Sequence, residues 1–245
     1  MNPFDLSRKH ILITGASSGI GKAIAILCSE LGATLTVSGR NEKRLEETFS
    51  LLLGSGHVKV AMDLTDYVNT AKMVESFNKF DGVVYCVGTQ QNCIAKTMTD
   101  SVLNDVFKVN FNSIVNLNTL LFENKKINKS ASIVFISSVA SQYAEVGNAA
   151  YSASKGALTA FARVLALENA KRKIRVNTVS PAMVRTPLLK KFDVSEEQFA
   201  EDEKKYPLGY SDADDIAPAV TFLLSDGALK ITGSDIKIDG GLTLN

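Results

Sequence analysis

HILITGASSGIGKAIAILCSELG, residues 10–32, is the stretch on which the fold turns. The apolar run 10–14 reads as a buried strand, and 19–31 carries apolar residues at helical spacing. Between them lie Gly15, Gly19 and Gly21, with Ser17 and Ser18 in the same turn. A strand, a glycine-rich turn and a helix N-terminus make a dinucleotide cradle. The glycines let the backbone approach, while the helix amides and dipole hold the pyrophosphate. A P-loop is excluded, because position 16 is Ala16 where glycine is required and Ala23, after Lys22, has no hydroxyl for a metal.

Outward from this turn the same alternation continues. Strand-like runs are HILIT (10–14), TLTVSG (34–39), HVKVAMD (57–63), GVVYCVG (82–88), SIVFISS (132–138), IRVNTVSP (174–181) and SDIKIDG (234–240). Helical patterns lie near 19–31, 41–53, 66–79, 100–124, 149–171 and 212–225. Continuous Val/Ile-rich strands separated by helices predict an α/β Rossmann fold: a doubly wound parallel sheet of about seven strands, helices on both faces. No linker or repeat divides the chain, so one domain over 1–245 is expected. The segment 183–210 is polar, prolyl and only partly helical, which predicts a substrate lid beside the strand ends.

The second strand bears on which dinucleotide is taken. A site for NAD places Asp or Glu about 20 residues past the glycine turn to bind the ribose hydroxyls. Here the strand ends in Gly39 and Arg40, with no carboxylate before Glu42. A planar guanidinium fits a 2′-phosphate, so NADP(H) is the expected cofactor. Further along, Tyr151 and Lys155 stand four apart in a helical run, on one face. A fixed cation beside a phenol favours phenolate, which makes general acid/base hardware for a carbonyl or alcohol oxygen. Ser138 lies thirteen residues upstream, at the end of a strand-like run.

These segments together resemble the classical short-chain dehydrogenase/reductase family. The resembling pieces are TGASSGIG (14–21), DL (63–64), Asn110, Ser138, YSASK (151–155), SPAMVRT (180–186) and ITGSDIKIDGG (231–241), in family order over nearly the whole chain. The resemblance implies a carbonyl reductase or alcohol dehydrogenase with Asn110, Ser138, Tyr151 and Lys155 as the catalytic set. Tyr151 would exchange the proton, Ser138 would fix the carbonyl oxygen, Lys155 would hold the nicotinamide ribose, and Asn110 would hold a water linking Lys155 to solvent. Ser17, Ser18 and Ile20 would line the phosphates with Gly15, Gly19 and Gly21. Asp63 and Leu64 would meet the adenine, Gly88 the ribose, and Val184 and Thr186 the nicotinamide carboxamide. Two departures stand out: YCVG at 85–88 replaces the family's NNAG, and Ala182 replaces a glycine.

Within the family the chain is most similar to β-ketoacyl-[acyl-carrier-protein] reductases. Lys129 and Arg172 are basic where those enzymes grip their carrier, so an acyl-thioester substrate and an acyl carrier protein partner are implied. Sugar, polyol and steroid dehydrogenases share the same catalytic residues, and a dinucleotide-binding sensor or scaffold without turnover is the rival from another class. The apolar richness of 100–124 and 149–171, with the terminal DGGLTLN, predicts a homo-oligomer, a tetramer by resemblance.

Composition narrows the field further. Lys plus Arg against Asp plus Glu is 27 to 26, a net charge of +1, which gives no basic excess for nucleic acid. Cys28, Cys86 and Cys93 have neither disulfide nor metal spacing, which fits a reducing cytoplasm. His10 and His57 start strand-like runs and form no metal or nucleophile constellation. No signal-like segment precedes the first strand, and no apolar run reaches the roughly 18 residues of a membrane span.

Overall fold

The computed structural model describes residues 2–189 and 195–244. Its centre is a seven-stranded parallel sheet: β1 (His10–Ile13), β2 (Thr34–Gly39), β3 (Val58–Ala61), β4 (Phe80–Tyr85), β5 (Ile127–Ile136), β6 (Arg175–Pro181) and, after two short strands given below, β9 (Asp235–Ile238). The strand order is β3-β2-β1-β4-β5-β6-β9, so the winding direction reverses between β1 and β4. The expected fold class is the one observed.

Alternation along each strand explains why helices cover both faces. Ile11 and Ile13 of β1 point to one side, where they pack with Ile24, Ala25 and Cys28 of α1 (Gly19–Glu30) and Val220 and Leu223 of α8 (Ala213–Leu224). Leu12, between them, joins the opposite core, built with Val74 of α3 (Tyr67–Ser76), Leu117 of α5 (Ser113–Glu123) and Leu158 of α6 (Ala149–Asn169). Both faces are apolar, as a buried parallel sheet demands. The shorter α2 (Glu42–Phe49) adds Leu45 to the first core.

Three local features differ from the sequence reading. The helix expected over 100–124 is split into α4 (Asp100–Phe107), a π-helical turn (Lys108–Asn112) and α5. Such widened turns occur where a side chain must be re-aimed, and this one carries Asn110. The strand expected through 88 ends at Tyr85, freeing 86–88 to run along the site. Within 183–210, β7 (Val184–Arg185) pairs with β8 (Ser211–Asp212), and α7 (Glu196–Glu203) begins with a Ser195–Gln198 capping box. Residues 190–194 of the expected lid lie outside the described residues.

Candidate active site

The carboxyl ends of β1, β2, β4 and β5 open into one cavity of about 980 Å³. Of the residues singled out above for catalysis or cofactor binding, all but Asn110 line it.

At the phosphate cradle, Gly15 adopts φ +68° and Gly19 φ +53°. A Cβ on Gly15 would be driven into the Cys86 carbonyl, and one on Gly21 into the Gly15 carbonyl. Both glycines are therefore required by close backbone packing, and Gly15 by its φ as well. Ser18 is the N-cap of α1 but makes no side-chain capping bond, so the first-turn amides remain available to an anion. Gly39 lets Ser17 approach: its Cβ would stand 3.0 Å from Ser17 Oγ.

Exposed Arg40 follows directly, and Asn41 caps α2 by accepting from Arg44 N at 2.9 Å. Asn41 and Arg44 also line the cavity, two residues the sequence reading passed over, although Arg44 four after Arg40 was a readable signal. Burial pushes the Asp63 carboxyl up, but hydrogen bonds from Thr65 and the charges of Arg40 and Lys108 outweigh it and hold the group below its ordinary value.

At the other end of the cavity, Tyr151 and Lys155 occupy the first two turns of α6. Lys155 is 3% exposed and donates to the Ile136 carbonyl at 2.8 Å. Burial draws its ammonium down to about 8. Its Nζ lies 5.8 Å from the Tyr151 ring centroid. The expected lowering of Tyr151 is not what this geometry gives. Burial pushes the phenol up, Glu145 and Cys86 add to it, and the nearby Ser138 hydroxyl opposes it. The physical reason is that the ammonium is committed to a backbone carbonyl while the phenol sits out of water. Ser138 Oγ accepts from Ala140 N at 3.2 Å and donates to the Pro181 carbonyl at 3.3 Å, which fixes its hydroxyl.

Asn110 lies just behind the cavity, fully buried. Its Oδ1 accepts from Thr89 N at 2.7 Å, and its Nδ2 donates to the Thr89 carbonyl at 2.9 Å and Ser154 Oγ at 3.0 Å. It thus clamps the loop after β4 to α6. A Cβ added at Gly88 would stand 3.6 Å from Lys155 Nζ and 3.8 Å from Asn110 Oδ1, ordinary contact with both.

The YCVG departure has a structural answer. Tyr85 is fully buried, stacks on Phe135 with centroids 4.7 Å apart, and donates to Asn118 Oδ1 at 3.3 Å. It faces the core, not the cavity. Cys86 N donates to Thr14 Oγ1 at 3.1 Å, and burial raises the Cys86 thiol to about 12.

The family model described as Enoyl-(Acyl carrier protein) reductase matches residues 15–243. The chain belongs to the short-chain dehydrogenase/reductase family. It is 34% identical over 241 residues to the 3-oxoacyl-[acyl-carrier-protein] reductase FabG of Rickettsia conorii, covering 98% of this chain and 99% of that protein. It is 34% identical over 242 residues to the corresponding Bos taurus reductase, covering 96% and 98%. Among solved structures, a candidate NAD(P)-dependent gluconate 5-dehydrogenase from Beutenbergia cavernae, with NADP bound at low occupancy, superimposes with a TM-score of 0.89 at 29% identity. Both chains are covered in full. A candidate short-chain alcohol dehydrogenase from Sinorhizobium meliloti gives 0.90 at 29% identity, with 99% of each chain covered.

Family membership makes the chain an oxidoreductase, and the rest of the cavity is walled by residues without a motif or periodicity. Tyr143, Gln90, Asn148, Phe199, Tyr206 and Tyr210 all line it from loops and from α7. Tyr210 donates to Asp202 Oδ2 at 2.6 Å. The two basic residues implied for a carrier stand elsewhere. Lys129 is exposed, whereas Arg172 donates to the Ile127 carbonyl at 2.8 Å and lies over Phe122. Among the described residues, no helix is long and apolar enough to cross a membrane and no metal-ligating cluster occurs.

Proposed function

We propose that this short-chain dehydrogenase/reductase is an NADP(H)-dependent carbonyl reductase, interconverting a ketone and a secondary alcohol. The convergence of Ser138, Tyr151 and Lys155 at one end of the cavity that Arg40 enters at the other carries this reading. The cradle fits the cofactor, because the positions where a Cβ would clash are those where a pyrophosphate backbone must come close. Arg40 and Arg44 would hold the 2′-phosphate, Lys155 the nicotinamide ribose, and Val184 and Thr186 the carboxamide. When bound, NADPH supplies the hydride. Ser138 orients the carbonyl oxygen, Tyr151 donates its proton to that oxygen as charge develops, and Asn110 fixes the wall behind Lys155.

The best-supported substrate is a β-ketoacyl thioester, carried by full-length similarity to 3-oxoacyl reductases. The matching family model is described by an enoyl reductase, but paired hydroxyls from Ser138 and Tyr151 suit a carbonyl oxygen better than a carbon–carbon double bond. Polyol oxidation is the second reading, favoured by the polar wall of Gln90, Asn148 and Glu145. We place the protein in the cytoplasm as one domain over 1–245, with 183–210 as its lid and an acyl carrier protein as its macromolecular partner. A homotetramer is proposed from exposed Val164 and Leu167 on α6 and Leu244 near the terminus. NADPH oxidation assayed against acetoacetyl thioesters, hydroxyketones and steroids tests the reading. Turnover of none would sink it, and a scattering mass near 26.4 kDa would sink the tetramer.

A further inference from the structure

One wall of the cavity carries a relay of three polar side chains outside the catalytic set. Gln90 Nε2 donates to Asn148 Oδ1 at 2.8 Å, and Asn148 Nδ2 donates to Glu145 Oε2 at 3.2 Å. The backbone repeats the tie: Asn148 N donates to the Glu145 carbonyl at 3.3 Å, and Cys93 N to the Gly147 carbonyl at 2.8 Å. Asn148 is 5% exposed and is the N-cap residue of α6, its carbonyl accepting from Ser152 N at 2.8 Å. Gln90 adjoins Thr89, the residue clamped by Asn110. The relay therefore binds the loop after β4 to the helical turn that carries Tyr151, and it ends in a carboxylate on the cavity wall.

We propose that Glu145 is a positioning residue: through Asn148 it holds the turn bearing Tyr151 and sets a carboxylate on the same cavity wall, preparing the site for carbonyl reduction. This rests on the reading of Tyr151 as the proton donor. A phenol is the form that donates to a carbonyl oxygen, and phenolate is the form that takes a proton from an alcohol. An anion nearby extends the phenol to higher pH, in the same direction as burial. Other groups facing Tyr151 are Ser138 at the end of β5, Cys86 after β4, and Lys155 on its own helix. Facing Glu145 from beyond α7 are Tyr206 and Lys205, the latter already paired with Asp202 at 2.7 Å, with Tyr143 on the same recess.

Glu145→Gln separates charge from hydrogen bonding, since glutamine still accepts from Asn148. The high-pH limb of ketone reduction and the low-pH limb of alcohol oxidation should both move down by about 0.3–1 pH unit. The phenolate absorbance of Tyr151 in the cofactor-free protein, taken as the difference from Tyr151→Phe, should move with them. Glu145→Ala should add a several-fold fall in kcat with the KM for NADPH unchanged. Turnover whose pH profile and phenolate spectrum are unmoved, or moved up, by Glu145→Gln overturns the proposal. A wild-type chain that turns over no carbonyl, with the spectral shift intact, overturns the functional reading and leaves the Glu145–Tyr151 coupling standing.

Discussion

The two ends of the cavity handle positive charge in opposite ways. At the adenosine end the Arg40 guanidinium stands exposed to solvent, its planar fork open to a phosphate. At the catalytic end Lys155 is buried against a carbonyl, and that burial brings its ammonium down to about 8. Exposed charge confers selectivity among ligands, whereas buried charge stores a penalty that a ligand or substrate can relieve. Substitutions at the catalytic end should therefore change chemistry and stability, and those at the adenosine end only the choice of cofactor.

The largest effect expected is at the phenol. Tyr151→Phe should lower kcat by about 10²–10⁴-fold, because the proton is needed only as charge develops on the carbonyl oxygen. NADPH binding, measured by calorimetry, should survive, since the cradle and Arg40 are untouched. Most of the wild-type kcat in this variant would remove Tyr151 from its role and with it the contrast between the two ends.

Next comes the adenosine end. Charge-assisted bonds to a 2′-phosphate are worth about 1.5–3 kcal/mol, so NADPH should be preferred over NADH by roughly ten- to a hundredfold. Arg40→Asp should reverse that order by repelling the phosphate and accepting from the ribose. The ratio of kcat/KM for the two cofactors on both proteins decides it, and Arg44→Ala should narrow the ratio without reversing it. An unmoved ratio would mean that selectivity resides elsewhere in the cavity.

The sheet was legible in the sequence because its strands are continuous apolar runs and its cradle glycines stand in a fixed relation to a strand and a helix. What escaped was set by tertiary contact. The break at Lys108–Asn112 leaves no mark in a pattern that stays apolar and helical on both sides. The tyrosines on the cavity wall come from loops without periodicity and meet only when 199–210 folds back over Val139 and Leu242. The direction of the Tyr151 shift is set by tertiary contact too: sequence spacing places Lys155 near the ring, but only the fold shows its ammonium turned to Ile136.

The stored penalty at Lys155 can be read as stability. Its folded value of about 8 lies below the ordinary 10.5. Between those limits the unfolded chain binds more protons, so stability rises with pH across that window and the full cost, about 3 kcal/mol, applies below pH 8. Lys155→Met removes the charge but leaves the Ile136 carbonyl without its donor, which offsets about 1–2 kcal/mol. The cofactor-free variant should thus be more stable than wild type by about 1–2 kcal/mol at neutral pH, with the gap closing as pH rises above 8. Denaturant unfolding at pH 7 and pH 10 checks it. Equal stability at both would show that the ammonium is not paying for burial.

The smallest effect on turnover belongs to Tyr85, which tests whether the strand leading into the site is part of it. Tyr85 immediately precedes the residues that run along the cavity, yet its ring is stacked on Phe135 and its hydroxyl donates to Asn118 on α5. Tyr85→Phe keeps the stack and leaves Asn118 Oδ1 short of a buried donor, which costs about 1–2 kcal/mol. The expected result is a lower denaturation midpoint with kcat and the KM for NADPH within error of wild type. Tyr85→Asn, which restores the residue usual in the family, empties an aromatic volume from a packed core and should cost about 3–5 kcal/mol. If instead Tyr85→Phe changes the KM for NADPH while the midpoint holds, the hydroxyl reaches the cofactor through the strand end. The core and the catalytic end would then not be separable.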